Sequence, residues 1–272
     1  MSIVWLNGKF MNGDAALDAA DRGFLLGDGV FETVAVEKGR ATWLPEHVAR
    51  MESAARELGI PFNREDVLSG AAQVLGKSAS DGEVLRITMS RGVGTRGLAG
   101  NGKAPTLLIT LAELSYATAP QACCVKISTI RRNEHAPSSR LKTLSYIDGI
   151  MAAREIAGDA DEALMLNTAG HVASATIGNV FLLKDNTLVT PSLDQGILAG
   201  ITRQKVIEVN VFATVQRPVN WQELGEADAV FLCNSLRRLR PISHLNGIEL
   251  NQQPLDKLYS EITRLILKGQ DR

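Results

Sequence analysis

Ser139-Arg140-Leu141-Lys142-Thr143-Leu144-Ser145-Tyr146 sets a lysine between apolar neighbours where irregular chain gives way to a helix. A lysine so placed is ordinarily a surface residue with a buried stem, so its weight depends on its surroundings. Upstream, residues 30–36 read as a strand, Glu37-Lys38-Gly39-Arg40 as a hairpin turn and 41–44 as the return. Pro45 sits where a helix can begin, and 46–59 carries Val48, Met51, Ala55 and Leu58 at helical spacing, with Gly59 and Pro61 as stop signals. Asn63 can cap a second helix running to about residue 76. Strands over 83–90 and 106–111 follow, separated by a glycine-rich loop. Downstream, 123–129 reads as a strand, 145–157 as a helix, 162–166 and 180–183 as strands, 202–209 as a helix, 229–233 as a strand and 255–267 as an amphipathic helix. The mixture is α+β. The pattern breaks at YATAPQ, which predicts a small N-terminal α/β domain over 1–115, a linker over 116–121 and a larger C-terminal domain over 122–272.

Composition narrows the function classes. Lys+Arg is 29 and Asp+Glu is 30 in 272 residues, for a formal charge of -1. That balance offers no field for nucleic acid or an anionic membrane. A small anion held by a few local arginines still fits. The apolar stretches are strand-length, too short to span a bilayer, and the first residues lack the features of a signal peptide. Cys123, Cys124 and Cys233 are odd in number and lack CxxC spacing, which argues against a disulfide framework or a zinc site. They read as buried small hydrophobes of a cytoplasmic protein.

Gly92-Val93-Gly94-Thr95-Arg96-Gly97 matches GxGxxG after a strand. A dinucleotide site needs a helix to open there, and Leu98-Ala99-Gly100-Asn101-Gly102-Lys103-Ala104-Pro105 cannot be one. The loop does supply Arg91 and Arg96 as candidates for a substrate carboxylate. Histidines at 47, 135, 171 and 244 stand singly, without metal-ligand spacing, and neither GxSxG nor GxxxxGK[ST] occurs.

Several separated segments together carry a resemblance. Asp21-Arg22-Gly23-Phe24 with Gly27-Asp28-Gly29-Val30-Phe31-Glu32-Thr33 resembles the N-terminal signature of class IV aminotransferases. His47-Val48-Ala49-Arg50, the 140–148 segment, Gly170-His171-Val172 with Asn179-Val180-Phe181, Gly200-Ile201-Thr202-Arg203, and 231–235 with Pro241 follow in family order over essentially the whole chain. The resemblance implies the fold type IV architecture (D-amino-acid aminotransferase-like) and pyridoxal 5'-phosphate as cofactor. A homodimer acting on a small amine or amino acid is also implied. Lys142 becomes the residue whose amine condenses with the cofactor aldehyde, and Arg50 a ligand of its phosphate. The chemistry agrees. A buried lysine keeps part of its amine unprotonated, and Gly200-Ile201-Thr202 opens a helix whose N-terminus suits phosphate, with Ser235 as a further donor.

One position departs from the family pattern. Ser174 stands where most relatives carry a glutamate that keeps the pyridine nitrogen protonated, so the cofactor's electron sink is expected to be weaker. Ser90-Arg91-Gly92-Val93-Gly94-Thr95-Arg96-Gly97 and Cys233-Asn234-Ser235-Leu236 resemble the 4-amino-4-deoxychorismate lyase branch. Phe31 and Leu98 leave the carboxylate trap of the D-amino-acid branch incomplete. The leading expectation is therefore a lyase forming 4-aminobenzoate and pyruvate, with Arg96 and Arg91 on a substrate carboxylate and Phe31, Thr33 and Asn234 lining the pocket. An aminotransferase for branched-chain or D-amino acids is the alternative. A cofactor-binding protein with little catalysis is a third reading, resting on Ser174.

Overall fold

The computed structural model describes residues 3–11, 16–100, 102, 104–114 and 121–269. Two compact units emerge. One gathers the described residues up to 114 together with Leu141–Ser145; the other holds those from 121 to Arg140 and from Tyr146 to Lys268. Most of the expected linker, 116–120, lies outside the described residues.

The first unit is a six-stranded antiparallel sheet of β1 (Ile3–Leu6), β2 (Lys9–Phe10), β3 (Gly29–Glu37), β4 (Arg40–Ala41), β5 (Gly82–Ser90) and β6 (Thr106–Glu113). Their order across the sheet is β2-β1-β6-β5-β3-β4. Helices α1 (Arg22–Leu26), α2 (Leu44–Glu57) and α3 (Arg64–Leu75) complete it. Strand alternation sends Val30, Val34 and Val36 of β3 and Leu85, Ile87 and Met89 of β5 into one apolar cluster with Val48, Met51 and Ala55 of α2. Lys38 and Gly39 take φ of 51° and 75°, the left-handed pair that matches the twist of a tight hairpin. The return strand is shorter than expected. Trp43 turns left-handed (φ 54°) immediately before α2, so β4 stops at Ala41.

The second unit is a nine-stranded sheet. Its strands are β7 (Cys123–Ile127), β8 (Glu162–Leu166), β9 (Val172–Ala175), β10 (Asn179–Lys184), β11 (Thr187–Thr190), β12 (Ala213–Gln216), β13 (Ala229–Asn234), β14 (Arg238–Leu245) and β15 (Ile248–Glu249). The order is β12-β11-β10-β13-β14-β7-β8-β9, with β15 pairing β14. Helices α4 (Pro137–Arg140), α5 (Ile147–Glu155), α6 (Ile201–Glu208) and α7 (Asp256–Gly269) join it. β14 escaped sequence reading because Arg238, Arg240 and Pro241 look unlike a strand. Pro241 is tolerated because pairing with β7 begins only at Ile242↔Cys123. The helix expected over 145–157 spans only Ile147–Glu155, and residues 142–144 before it are paired with β3. Of the cysteines, Cys123 and Cys233 are buried as expected, but alternation along β7 leaves Cys124 exposed.

Candidate active site

Backbone pairing places Lys142. The Phe31 N–H donates to the Lys142 carbonyl (3.0 Å) and the Leu144 N–H to the Gly29 carbonyl (2.9 Å). Val30 is bridged to Thr143, so 142–144 lies along β3 where β4, paired only at Val36 and Glu37, does not reach. A Cβ on Gly29 would stand 2.5 Å from the Met89 carbonyl oxygen and 2.9 Å from Ser90 Cα, with Leu144 Cδ1 at 2.7 Å, so the backbone of β5 leaves only glycine there. The Lys142 Nζ then sits 4.3 Å from the centroid of the Phe31 ring, and the Arg86 guanidinium carbon lies 4.0 Å from the same centroid. One buried ring thus serves two cations. Thr33 shares the strand face of Phe31 and is half-buried. Sequence reading passed over Arg86, although a lone charge inside the alternating Leu85-Arg86-Ile87 was the available signal.

The other face of β3 holds the site's strongest electrostatic feature. Glu32 is fully buried, accepts from Arg50 Nε (2.8 Å) and Nη2 (2.6 Å), and lies 2.7 Å from Nδ1 of the equally buried His47. Burial alone would raise its pKa. The Arg50 charge and the hydrogen bonds from His47 and Arg50 outweigh that and hold the carboxyl down at about 2. His47 and Arg50 can share this carboxylate because residues three apart on a helix face the same way. A glutamate interrupting Val30-Phe31-Glu32-Thr33-Val34 was the visible cue.

Among the described residues the glycine-rich loop carries no helix, and the arginines in it and beside it differ in role. Buried Arg22 donates to Asp28 and to the carbonyls of Thr95, Gly97 and Leu98. Arg91 forks onto Asp28 (2.8 and 3.1 Å) and reaches the carbonyls of Leu58 and Gly59. Burial would raise the Asp28 pKa, but Arg91 and Arg22 together lower it. This corrects the expectation for Arg91. Its donors are committed inside the fold, so it braces the loop rather than meeting a substrate. Arg96 is exposed on that loop, as is Leu98.

In the second unit, Ile201 and Thr202 are buried at the start of α6. Asn179 holds the approach, its Nδ2 donating to the Leu198 carbonyl at 2.9 Å. The Thr202 hydroxyl is buried and has no hydrogen-bond partner among the described residues, and the same holds for the Ser174 hydroxyl on β9. Asn234 ends β13, where its Oδ1 accepts from the backbone N–H groups of Leu236 (3.1 Å) and Arg237 (2.7 Å), shaping the turn that carries Ser235. Its acceptor oxygen builds the turn, and the residue also lines a small pocket with Gly178, Cys233 and Arg237. Arg132, missed in sequence, keeps a buried Nε without a hydrogen-bond partner among the described residues, and burial lowers its pKa.

A buried hydroxyl lacking a partner forfeits its hydrogen bonds to water, a loss of about 1–3 kcal/mol unless something from outside the chain replaces them. Thr202, at a helix N-terminus, offers its donor where an anion is favoured. Ser174 offers one to a neutral acceptor. The Lys142 amine of the first unit and these hydroxyls of the second are each of the kind that pyridoxal 5'-phosphate calls for.

A two-layer α/β unit followed by a large mixed sheet, with these donors, defines a fold type IV enzyme. The sequence profile of amino-transferase class IV matches residues 29–245, and the chain belongs to that pyridoxal-phosphate-dependent family. It is 32% identical over 261 residues to an aminodeoxychorismate lyase of Bacillus subtilis, covering 92% of this chain and 89% of that protein. A solved 4-amino-4-deoxychorismate lyase from Pseudomonas aeruginosa is similar at 28% identity and a TM-score of 0.83, covering 96% of this chain and 98% of the other. The fold also matches the branched-chain aminotransferase of Thermoproteus uzoniensis, solved with norvaline, at 24% identity and a TM-score of 0.91, with 100% and 97% coverage.

Proposed function

We propose that this enzyme is a 4-amino-4-deoxychorismate lyase, releasing 4-aminobenzoate and pyruvate. The observation that carries this reading is Ser174, a buried hydroxyl without a hydrogen-bond partner among the described residues, where the family pattern that the sequence resembles has a glutamate. A hydroxyl can hydrogen-bond the pyridine nitrogen but cannot hold a proton there by charge. Elimination that ends in an aromatic ring has its own driving force and tolerates a weaker electron sink than transamination does. Similarity to two lyases over nearly the whole chain supports the same choice.

In this reading Lys142 carries the cofactor, Arg50, Ile201, Thr202 and Ser235 bind its phosphate, and Ser174 bonds its ring nitrogen. When bound, pyridoxal phosphate withdraws electrons from the amine-bearing carbon of the substrate. The Lys142 amine would take the proton from that carbon. The bond to enolpyruvate breaks, the carbocycle becomes aromatic, and Lys142 returns a proton to the departing group. Arg96 meets a substrate carboxylate, with Phe31 and Thr33 beneath the reacting atoms. Two copies of the chain are expected to assemble, since Phe24, Leu25 and Leu26 of α1 expose 75%, 58% and 46% of their surface.

The test is turnover. Purified protein loaded with pyridoxal phosphate is given enzymatically generated aminodeoxychorismate, and 4-aminobenzoate and pyruvate are measured, with Lys142→Ala as control. Release of both products by the wild type alone supports the lyase. Formation of 2-oxo acids from branched-chain or D-amino acids, without 4-aminobenzoate, would replace it with an aminotransferase. Cofactor binding without either activity would leave a binding protein.

A further inference from the structure

We infer that Glu32 is a positioning residue that gives the cofactor site its selectivity for a phosphorylated ligand. This rests on the reading of Arg50 as a phosphate ligand. On the helix-facing side of β3, Val30, Val34 and Val36 are buried in the apolar cluster, and pattern alone calls for an aliphatic residue at 32. A carboxylate stands there instead, with 0% exposure, grasped by His47 and by two nitrogens of Arg50. Withdrawing such an ion pair from water yields little net stability over an apolar pair of the same volume. Its retention points to geometry rather than stability.

The geometry is specific. The bidentate clasp fixes the plane of the guanidinium, since both Nε and Nη2 are tied to one carboxylate that cannot itself turn. His47, on α2 with Arg50, meets the same Oε2 that Arg50 Nη2 bonds, which adds a third contact to the carboxylate. An arginine without this clasp samples many rotamers and loses side-chain entropy when an anion orders it. Glu32 removes that loss in advance, and does so only for ligands whose anion Arg50 reaches.

Apo-protein titrated with pyridoxal phosphate and with pyridoxal, its phosphate-free form, separates this role from a structural one. The preference for the phosphorylated form is compared in wild type, Glu32→Gln, Arg50→Gln and the double variant. Glu32→Gln is expected to lower that preference roughly 10- to 100-fold, the worth of one charge-assisted contact. Pyridoxal affinity should hold within about twofold, and Glu32→Gln should add nothing on the Arg50→Gln background. Unchanged preference, equal weakening of both ligands, or additive effects would each overturn the proposal. If Glu32→Gln is insoluble, Glu32→Asp decides by the same criterion, because it keeps the charge but withdraws the clasp by one methylene. Wild-type protein that binds neither ligand refutes the cofactor reading itself. Arg50→Gln with full preference refutes the phosphate role of Arg50 and this inference with it.

Discussion

A Cβ added to Gly200 would stand 2.0 Å from the Oδ1 of Asn179. Glycine is therefore favoured by contact, not by conformation, since a side chain would have to displace the Asn179 carboxamide while the φ of -68° suits any residue. The close approach lets Asn179 tie the chain entering α6 through its bond to the Leu198 carbonyl. Gly200→Ala is expected to push the carboxamide aside and loosen the helix start. Pyridoxal phosphate affinity, followed by absorbance titration, should fall roughly tenfold, the worth of one lost charge-assisted hydrogen bond. Overpacking should reduce stability by about 1–3 kcal/mol.

Ser174→Glu tests the electron-sink argument. A carboxylate at that buried position should protonate the ring nitrogen and shift the absorption band of the bound cofactor. Amino-acid-dependent release of 2-oxo acid should rise. Apo-protein should melt earlier than wild type, because an unpaired buried charge costs about 3 kcal/mol or more, and cofactor should restore much of the loss. An unchanged spectrum and rate would remove Ser174 from the site.

Glu32 predicts a specific acid response. Its folded pKa is depressed to about 2 from 4.5, so the unfolded chain binds the proton more readily. The stability it contributes is fully present above pH 4.5 and is lost as pH falls towards 2. Urea midpoints measured across that window should decline less steeply in Glu32→Gln than in wild type, although the variant starts lower. Parallel curves would count against an ionised Glu32.

The two loop arginines should separate cleanly. Arg91→Ala breaks a largely buried pair with Asp28 and abandons two carbonyls, so stability should fall by about 3 kcal/mol. Arg96→Ala, at an exposed position, should leave the melting temperature within about a degree, since surface substitutions change little. It should raise KM for the carboxylate-bearing substrate roughly tenfold. The opposite pattern would restore Arg91 to the substrate.

Much of the local architecture was legible because it obeys short-range rules. The hairpin at Lys38-Gly39, the Asn63 cap and the stop after α2 each depend on a few neighbouring residues. Asn7-Gly8, with φ of 45° and 91°, was an equally clear hairpin signal between β1 and β2 that went unread. β9, four small or branched buried residues, and β14, with its proline, lack periodicity long enough to register.

Lys142 shows where sequence stops. Ordered motifs along the chain carried the expectation that this lysine, Arg50, Thr202 and Ser174 serve one cofactor, because chemistry selects residue types that survive as a linear pattern. Only tertiary structure decided how they are used. It laid 142–144 along β3 rather than in a helix, spent Arg91 on Asp28, and buried Glu32 against Arg50 and His47. The reason is physical. A charged side chain's role depends on which partners reach it and how much water it loses, and both are set by residues far away in the chain.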